Sequence, residues 1–180
     1  MTTVPRAPEA TAPNVLRRLL SFPNPVNEKA ARVVAAGVVV MVALSLAGSW
    51  AWLLVPLAYG FCARVLTGPT LSPLGQLATR VVAPRLGPPR WTPGPPKRFA
   101  QAIGAGLSLA ALTVWLTAGW EWARWLVGLL GAAAFLEAAF GICLGCLIFA
   151  RLMRAGVIPA SVCEECADVV RRHPGLAERT

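Results

Sequence analysis

The chain has 180 residues, of which 56% are hydrophobic and 14% are charged, and its formal net charge is +9. Soluble domains carry about 25% charged residues, so this composition excludes an ordinary soluble domain. A basic chain can also bind nucleic acid, but here no basic cluster is interleaved with aromatic residues in a recognisable module. We therefore expect a membrane protein with no nucleic-acid partner.

The first apolar stretch follows a basic N-terminal segment, residues 1–29, which lacks the pattern of a cleaved signal peptide. Residues 30–66 as one helix would be about 55 Å long, whereas the hydrocarbon core is about 30 Å thick. The Gly48-Ser49 pair near the middle predicts a tight turn, which gives spans 30–47 and 50–66. Asn27 is the expected N-cap of the first span, with Glu28 in its first turn.

Residues 67–97 form a polar loop, and six prolines between residues 83 and 96 predict an extended segment without a helix. Residues 71–82 favour either a short amphipathic helix on the membrane surface or an ordered loop. A second hairpin is expected over 98–150, with spans 99–118 and 122–149 and a tight turn between them. The predicted fold is all-α: an integral membrane bundle of four transmembrane helices in two hairpins, followed by a polar tail, residues 151–180.

The positive charges predict the orientation of this bundle. Sixteen of the seventeen Lys and Arg residues lie in the N-terminal segment, the central loop and the tail or within three residues of them, and only Arg124 lies near the opposite face. Cytoplasmic loops of membrane proteins are enriched in Lys and Arg. We therefore predict a multi-pass protein of the cell membrane with both termini in the cytoplasm. Five tryptophans near the two outer turns fit an interfacial belt: Trp50, Trp52, Trp120, Trp122 and Trp125.

Four of the five cysteines form two Cys-x-x-Cys pairs, Cys143 with Cys146 and Cys163 with Cys166. The predicted topology places the first pair at the cytoplasmic membrane boundary and the second in the cytoplasmic tail. Cysteine pairs in a reducing compartment are more often catalytic or metal-bound than structural. The remaining cysteine, Cys62, is interpreted as a buried, inert residue.

Three functions compatible with these pairs remain open. The first is a thiol redox or persulfide relay with no cofactor, in which the tail pair exchanges with a soluble thioredoxin-like or sulfurtransferase partner. The second is a metal site in which Cys143, Cys146, Cys163 and Cys166 bind zinc or an iron–sulfur cluster. The third is a non-catalytic membrane adaptor whose Pro-rich loop docks another protein.

Two polar residues are expected inside the membrane, Glu137 and Gln101. An ionisable group in a span is a functional-site hypothesis by default. On a continuous fourth helix, Glu137 would lie on the face opposite the cysteines and would not act as their base. Its alternative role is an interhelical hydrogen bond to Gln101, Tyr59 or Thr113.

Three stretches together resemble a bacterial membrane family called domain of unknown function 4395. They are residues 22–27 (FPNPVN), residues 94–101 (GPPKRFAQ), and Cys143-Leu-Gly-Cys146 followed by the Cys163 and Cys166 pair. The resemblance covers roughly residues 20–168 and implies an integral membrane protein without an assigned substrate. It also implies, through gene neighbourhood, traffic of electrons or sulfane sulfur with thioredoxin-like or rhodanese-like proteins.

Overall fold

A computed structural model describes residues 22–163 and residue 166. Within them the fold is helical apart from one two-residue β-bridge. The principal helices are α1 (Glu28–Gly48), α2 (Leu54–Thr67), α3 (Pro73–Gln76), α4 (Ala83–Arg85), α5 (Gly94–Ala118), α6 (Trp120–Phe140) and α7 (Leu144–Arg154). Residues 1–21 and most of the predicted tail lie outside the described residues.

The first helix begins and ends where its sequence signals lie. The Asn27 side chain accepts a hydrogen bond from the Lys29 amide and caps α1, which satisfies one of its free N–H groups. At the other end Ser49 adopts a left-handed conformation, with φ of 53°. A 3₁₀ turn, Ala51–Leu53, then leads into α2. The expected reversal at the Gly48-Ser49 pair is therefore present.

The Pro-rich loop is more helical than its composition predicts. Between α3 and α4 the chain forms a short π-helix, Leu77–Val82, and α5 begins at Gly94 instead of residue 99. Pro95 and Pro96 fall in the first turn of α5, where the missing proline N–H breaks no intrahelical bond. The expectation that no helix survives among these prolines was therefore wrong at both ends of the segment.

A small antiparallel bridge holds this loop against the start of α1. Strand β1 (Val26–Asn27) pairs with β2 (Trp91–Thr92), with Val26 opposite Thr92. The Asn24 side chain also accepts a hydrogen bond from the Gly94 amide at 2.7 Å. The start of α5 is thereby fixed beside the start of α1.

The stretch predicted as one span, 122–149, is not one helix. Helix α6 ends at Phe140, three residues follow, and α7 begins at Leu144. Helix α6 has 21 residues, so it is about 31 Å long and already matches the thickness of a hydrocarbon core. The remaining apolar residues therefore form a separate helix.

In the bundle α1 packs against α6, α6 against α5, and α5 against α2. Its core contains large side chains such as Val38, Leu54, Phe61, Val127 and Leu130. Three helices, α1, α5 and α6, are long and apolar enough to cross a membrane, while the apolar segment Ala51–Thr67 is shorter. The α1–α2 turn and the α5–α6 turn lie at the same end of the bundle, which we call the turn end. Cys143 lies near the opposite end, which we call the cysteine end.

Candidate dithiol site

The break between α6 and α7 is built from Gly141 and from an arginine of α1. Gly141 has φ of 72°, which suits glycine, and its amide caps α6 by donating to Glu137 O at 3.0 Å. The Arg32 guanidinium donates to the carbonyl oxygens of Ala138 and Ala139 at 3.0 Å each. A cation on the last free carbonyls of a helix stabilises its C-terminus. The chain therefore leaves the helix two residues before Cys143.

Cys143 is the N-cap of α7. Its Sγ accepts a hydrogen bond from the amide of Cys146 at 3.3 Å. The two Cα atoms are 5.2 Å apart and the two sulfurs are joined as a disulfide. A cysteine at a helix N-terminus is stabilised as a thiolate, the form that acts as nucleophile and leaving group. The break thus places one sulfur of the first pair where thiol exchange is favoured.

Helix α7 is positioned by close contact with α5. A Cβ atom on Gly145 would lie 2.5 Å from both Cα and Cβ of Ala100, so only glycine fits there. Four residues later the Phe149 ring packs on the Phe99 ring, with centroids 5.6 Å apart. The start of α7, and with it the dithiol, is therefore held against α5.

An apolar cavity of about 200 Å³ extends from this site into the bundle. Its walls include Val38, Phe61 and Leu130 of the core, and its polar groups are Gln101, Glu137 and Cys143. Cys143 is buried, with 8% of the residue exposed. Because the helix breaks at Gly141, Glu137 and Cys143 line the same cavity. The expectation that they lie on opposite faces of one helix was therefore wrong.

Glu137 forms an ion pair with a lysine that the sequence did not suggest. The Lys97 Nζ lies 2.6 Å from Glu137 Oε1, and the side chains are only 10% and 15% exposed. None of the three expected partners holds Glu137: Gln101 accepts from Arg64 at 2.8 Å, and Tyr59 and Thr113 donate to backbone carbonyls. The lysine is within reach because α5 starts five residues earlier than expected.

A second, wider space lies on the other side of the dithiol. This groove, about 450 Å³, is lined by Lys97, Cys143, Cys146 and Glu28, among others. Glu28 in turn pairs with Arg90 of the loop at 3.3 Å. Cys143 therefore lines both the apolar cavity and the groove, whereas Cys146 lines only the groove.

The second pair repeats the arrangement of the first. Cys163 and Cys166 have the same Cα separation, 5.2 Å, and are also joined as a disulfide. In both pairs the first cysteine is buried and the second is partly exposed. Val162, next to this pair, lines a space between Phe99, Phe149 and Phe22. The tail pair is therefore anchored beside the α5–α7 contact.

Each cysteine pair is joined within itself as a disulfide. Among residues 22–163 and 166 there is no group of three or more His, Cys, Asp or Glu side chains placed to hold a metal ion. Cys62 is not in a disulfide and packs at the edge of the core. The structure thus brings each predicted Cys-x-x-Cys together internally, and it brings Glu137 and Gln101 to the cavity beside the first pair.

Sequence reasoning missed the basic side chains that organise the site. Lys97, Arg32 and Arg64 were used only as positive charges that predict the orientation in the membrane. Arg64 is 5% exposed and donates to Gln101 and, at 3.1 Å, to Ser72. One signal was available: an ionisable Glu137 in an apolar helix implies a cation nearby.

These features define a helical protein with apolar membrane-length helices and a dithiol at the end of its bundle. The chain belongs to the family described as "Domain of unknown function (DUF4395)", whose profile matches residues 26–154. The match includes the first cysteine pair and ends before the second. No curated protein and no solved structure matches the chain.

Proposed function

We propose that this protein is a membrane-anchored thiol redox or sulfur-relay protein that works through its Cys143–Cys146 pair. The observation that carries the proposal is the position of this pair. Cys143 caps α7 and its sulfur accepts the Cys146 amide, at a helix break that Arg32 and Gly141 maintain. The backbone dipole at the start of α7 favours a thiolate at such a position.

In the proposed membrane arrangement the chain crosses the membrane four times, through α1, α5, α6 and the shorter α2, and both termini are in the cytoplasm. Ten of the eleven Lys and Arg residues among those described belong to the cysteine end, and only Arg124 belongs to the turn end. At the turn end Trp122 and Trp125 are 68% and 71% exposed, as side chains of an interfacial belt are. This arrangement puts both cysteine pairs on the reducing side of the cell membrane.

The tail pair is proposed to pass electrons or sulfane sulfur between a soluble partner and the first pair. A thiolate of a thioredoxin-like partner attacks the more exposed sulfur, Cys166, and Cys163 leaves as a thiolate. The partner's second thiol then resolves the mixed disulfide, so two electrons move and one S–S bond replaces another. With a rhodanese-like partner, a cysteine thiolate attacks the outer sulfur of a persulfide and frees the partner's thiolate.

Redox titration of the purified full chain tests this function. We expect the first pair to be oxidised and reduced reversibly in glutathione buffers, as measured by maleimide trapping and mass spectrometry. Cys62→Ser is the matched control and should titrate like the wild type, whereas Cys143→Ser/Cys146→Ser should lose the transition. Stoichiometric zinc or iron in the purified protein would instead support the metal site. Thiols that stay inert throughout would support the adaptor.

A further inference from the structure

We propose that the apolar cavity binds the ring of a membrane quinone and that the Cys143–Cys146 dithiol reduces it there. This inference rests on the proposed thiol redox function and adds its membrane substrate. It is carried by a juxtaposition of three observations: a cavity of suitable size, exposed apolar residues in its lining, and a sulfur of the Cys143–Cys146 pair in its wall.

The cavity has the size and lining of a site for a single apolar ring. A cavity of about 150 Å³ with apolar walls admits benzene, so a volume of about 200 Å³ admits a small substituted ring. Val34, Val38, Phe61 and Leu130 line its inner part and are buried. A charged, water-soluble oxidant would be desolvated here without compensation.

The cavity opens at the outer surface of the bundle between α6 and α7. Three residues of its lining are exposed: Leu129 at 57%, Leu144 at 40% and Ile148 at 47%. All three are apolar, and in the proposed membrane arrangement they face the acyl chains. A ligand entering by this route must partition into the bilayer first, and an isoprenoid tail would remain in the lipid while the ring enters.

Polar groups in the wall suit the two carbonyl oxygens of a quinone. Gln101 Oε1 accepts from Arg64, and among residues 22–163 and 166 the Gln101 amide nitrogen donates to no protein acceptor. That nitrogen is a ready donor to a ring carbonyl. Glu137, held by Lys97, lines the same cavity and is the group there that can transfer a proton to the ring.

The positions of the two cysteines suggest different roles for them in the reaction. Cys146 lines the groove, from which a thiol of the tail pair is proposed to approach, and Cys143 also lines the cavity that would hold the ring. In the step itself the two thiols lose two electrons and two protons as their S–S bond forms. The quinone gains the same two electrons and two protons, and both C=O groups become C–OH. No further oxidant or reductant is needed.

An anoxic reaction with a short-tailed benzoquinone analogue tests the inference. The full chain in lipid nanodiscs is reduced with a dithiol reagent, which is then removed, and the analogue is added. We expect about one quinol for each disulfide that forms, counted over both cysteine pairs, with quinol measured by absorbance and the thiols by mass spectrometry. Cys143→Ser/Cys146→Ser should form no quinol.

Two alanines on adjacent faces of α6 give a matched pair of variants. Ala133 lines the cavity, and Ala132 is exposed and does not. Ala133→Phe should slow quinone reduction about tenfold or more, equivalent to about 1.4 kcal/mol, and Ala132→Phe should leave it unchanged. Both variants should still exchange with oxidised glutathione, which shows an intact dithiol.

The outcomes separate this inference from the function on which it rests. Thiols that exchange with glutathione but form no quinol would overturn the quinone site and leave the thiol function standing. Thiols that do neither would overturn both. Quinol formation that is equally fast in Ala133→Phe and in the wild type would show that the reaction occurs outside the cavity.

Discussion

The Lys97 ammonium nitrogen lies 2.6 Å from a carboxylate oxygen of Glu137, across the contact between α5 and α6. Both side chains are largely buried, at 10% and 15% exposure, so each charge has little access to water. The pair also borders both the apolar cavity and the groove, through Glu137 and Lys97 respectively. The charge balance around the dithiol therefore depends on this contact.

Removing one member of this pair should be costly. Lys97→Met leaves a buried carboxylate without its cation, and the loss of one partner of a buried pair costs about 3–5 kcal/mol. Thermal unfolding in detergent measures this. Arg124→Met is the control, because Arg124 and Glu121 are 47% and 73% exposed and such pairs contribute less than about 1 kcal/mol. Equal losses in the two variants would contradict a structural role for the Lys97–Glu137 pair.

Helix α7 should not tolerate a methyl group at its contact with α5. Gly145→Ala places a Cβ 2.5 Å from backbone and side-chain atoms of Ala100, and overpacking of this kind costs about 1–3 kcal/mol. The free energy of unfolding, or the melting temperature in detergent, measures the effect. Gly106→Ala on α5 is the matched control, because nothing lies within 4 Å of its added Cβ. Alanine there should be neutral or slightly stabilising. A harmless Gly145→Ala would show that α7 is not in contact with α5.

Arg32 should determine where α6 ends. Arg32→Met removes the donors that the Ala138 and Ala139 carbonyls use, so the end of α6 and the start of α7 should open more often. Hydrogen exchange of the amides at 141–146 should become faster. Arg32→Lys should rescue only part of the protection, because a lysine lacks the planar fork that reaches two carbonyls together. Unchanged exchange in Arg32→Met would mean that Gly141 alone suffices.

The second cysteine of each pair should be the accessible one. In the reduced protein, single-cysteine variants should react with a soluble maleimide faster at Cys146 than at Cys143, because Cys143 is 8% exposed and Cys146 lines the groove. Cys166 should likewise react faster than Cys163, which is 4% exposed. Quench-flow labelling followed by mass spectrometry gives the rates. A reversed order in either pair would contradict the proposed direction of exchange.

The orientation in the membrane has its own test. Intact cells treated with an impermeant maleimide should leave Cys166 unlabelled, and permeabilised cells should label it. A cysteine introduced at exposed Trp122 should show the opposite behaviour. Labelling of Cys166 from outside would place the tail on the oxidising side and remove the argument from the reducing compartment.

Local signals in the sequence were sufficient for the first helix. Asn27, Glu28 and the Gly48-Ser49 pair act through neighbours in the chain, and the helix begins and ends with them. The break at Gly141 was not predicted, because residues 122–149 contain no proline and the break depends on Arg32 from another helix. Length was the neglected signal: 28 residues make a helix of about 42 Å, longer than a hydrocarbon core of about 30 Å.

The ion pair at the site was missed for a related reason. Lys97 follows two prolines, and the segment was therefore predicted to be extended. Pro95 and Pro96 instead occupy the first turn of α5, which places Lys97 on the face of α5 that contacts Glu137. The local sequence around Lys97 does not reveal that this face of α5 packs against Glu137, which lies forty residues later in the chain.

The apolar segment Ala51–Thr67 has 17 residues, so it reaches about 25 Å, several ångströms less than its three long neighbours. Its outward side chains Val55, Tyr59 and Leu66 are exposed. Where this segment crosses a bilayer, the surrounding leaflets must compress locally or recruit lipids with shorter tails, at a fraction of a kcal/mol per ångström. One flank of the protein would thus prefer a thinner membrane than the other.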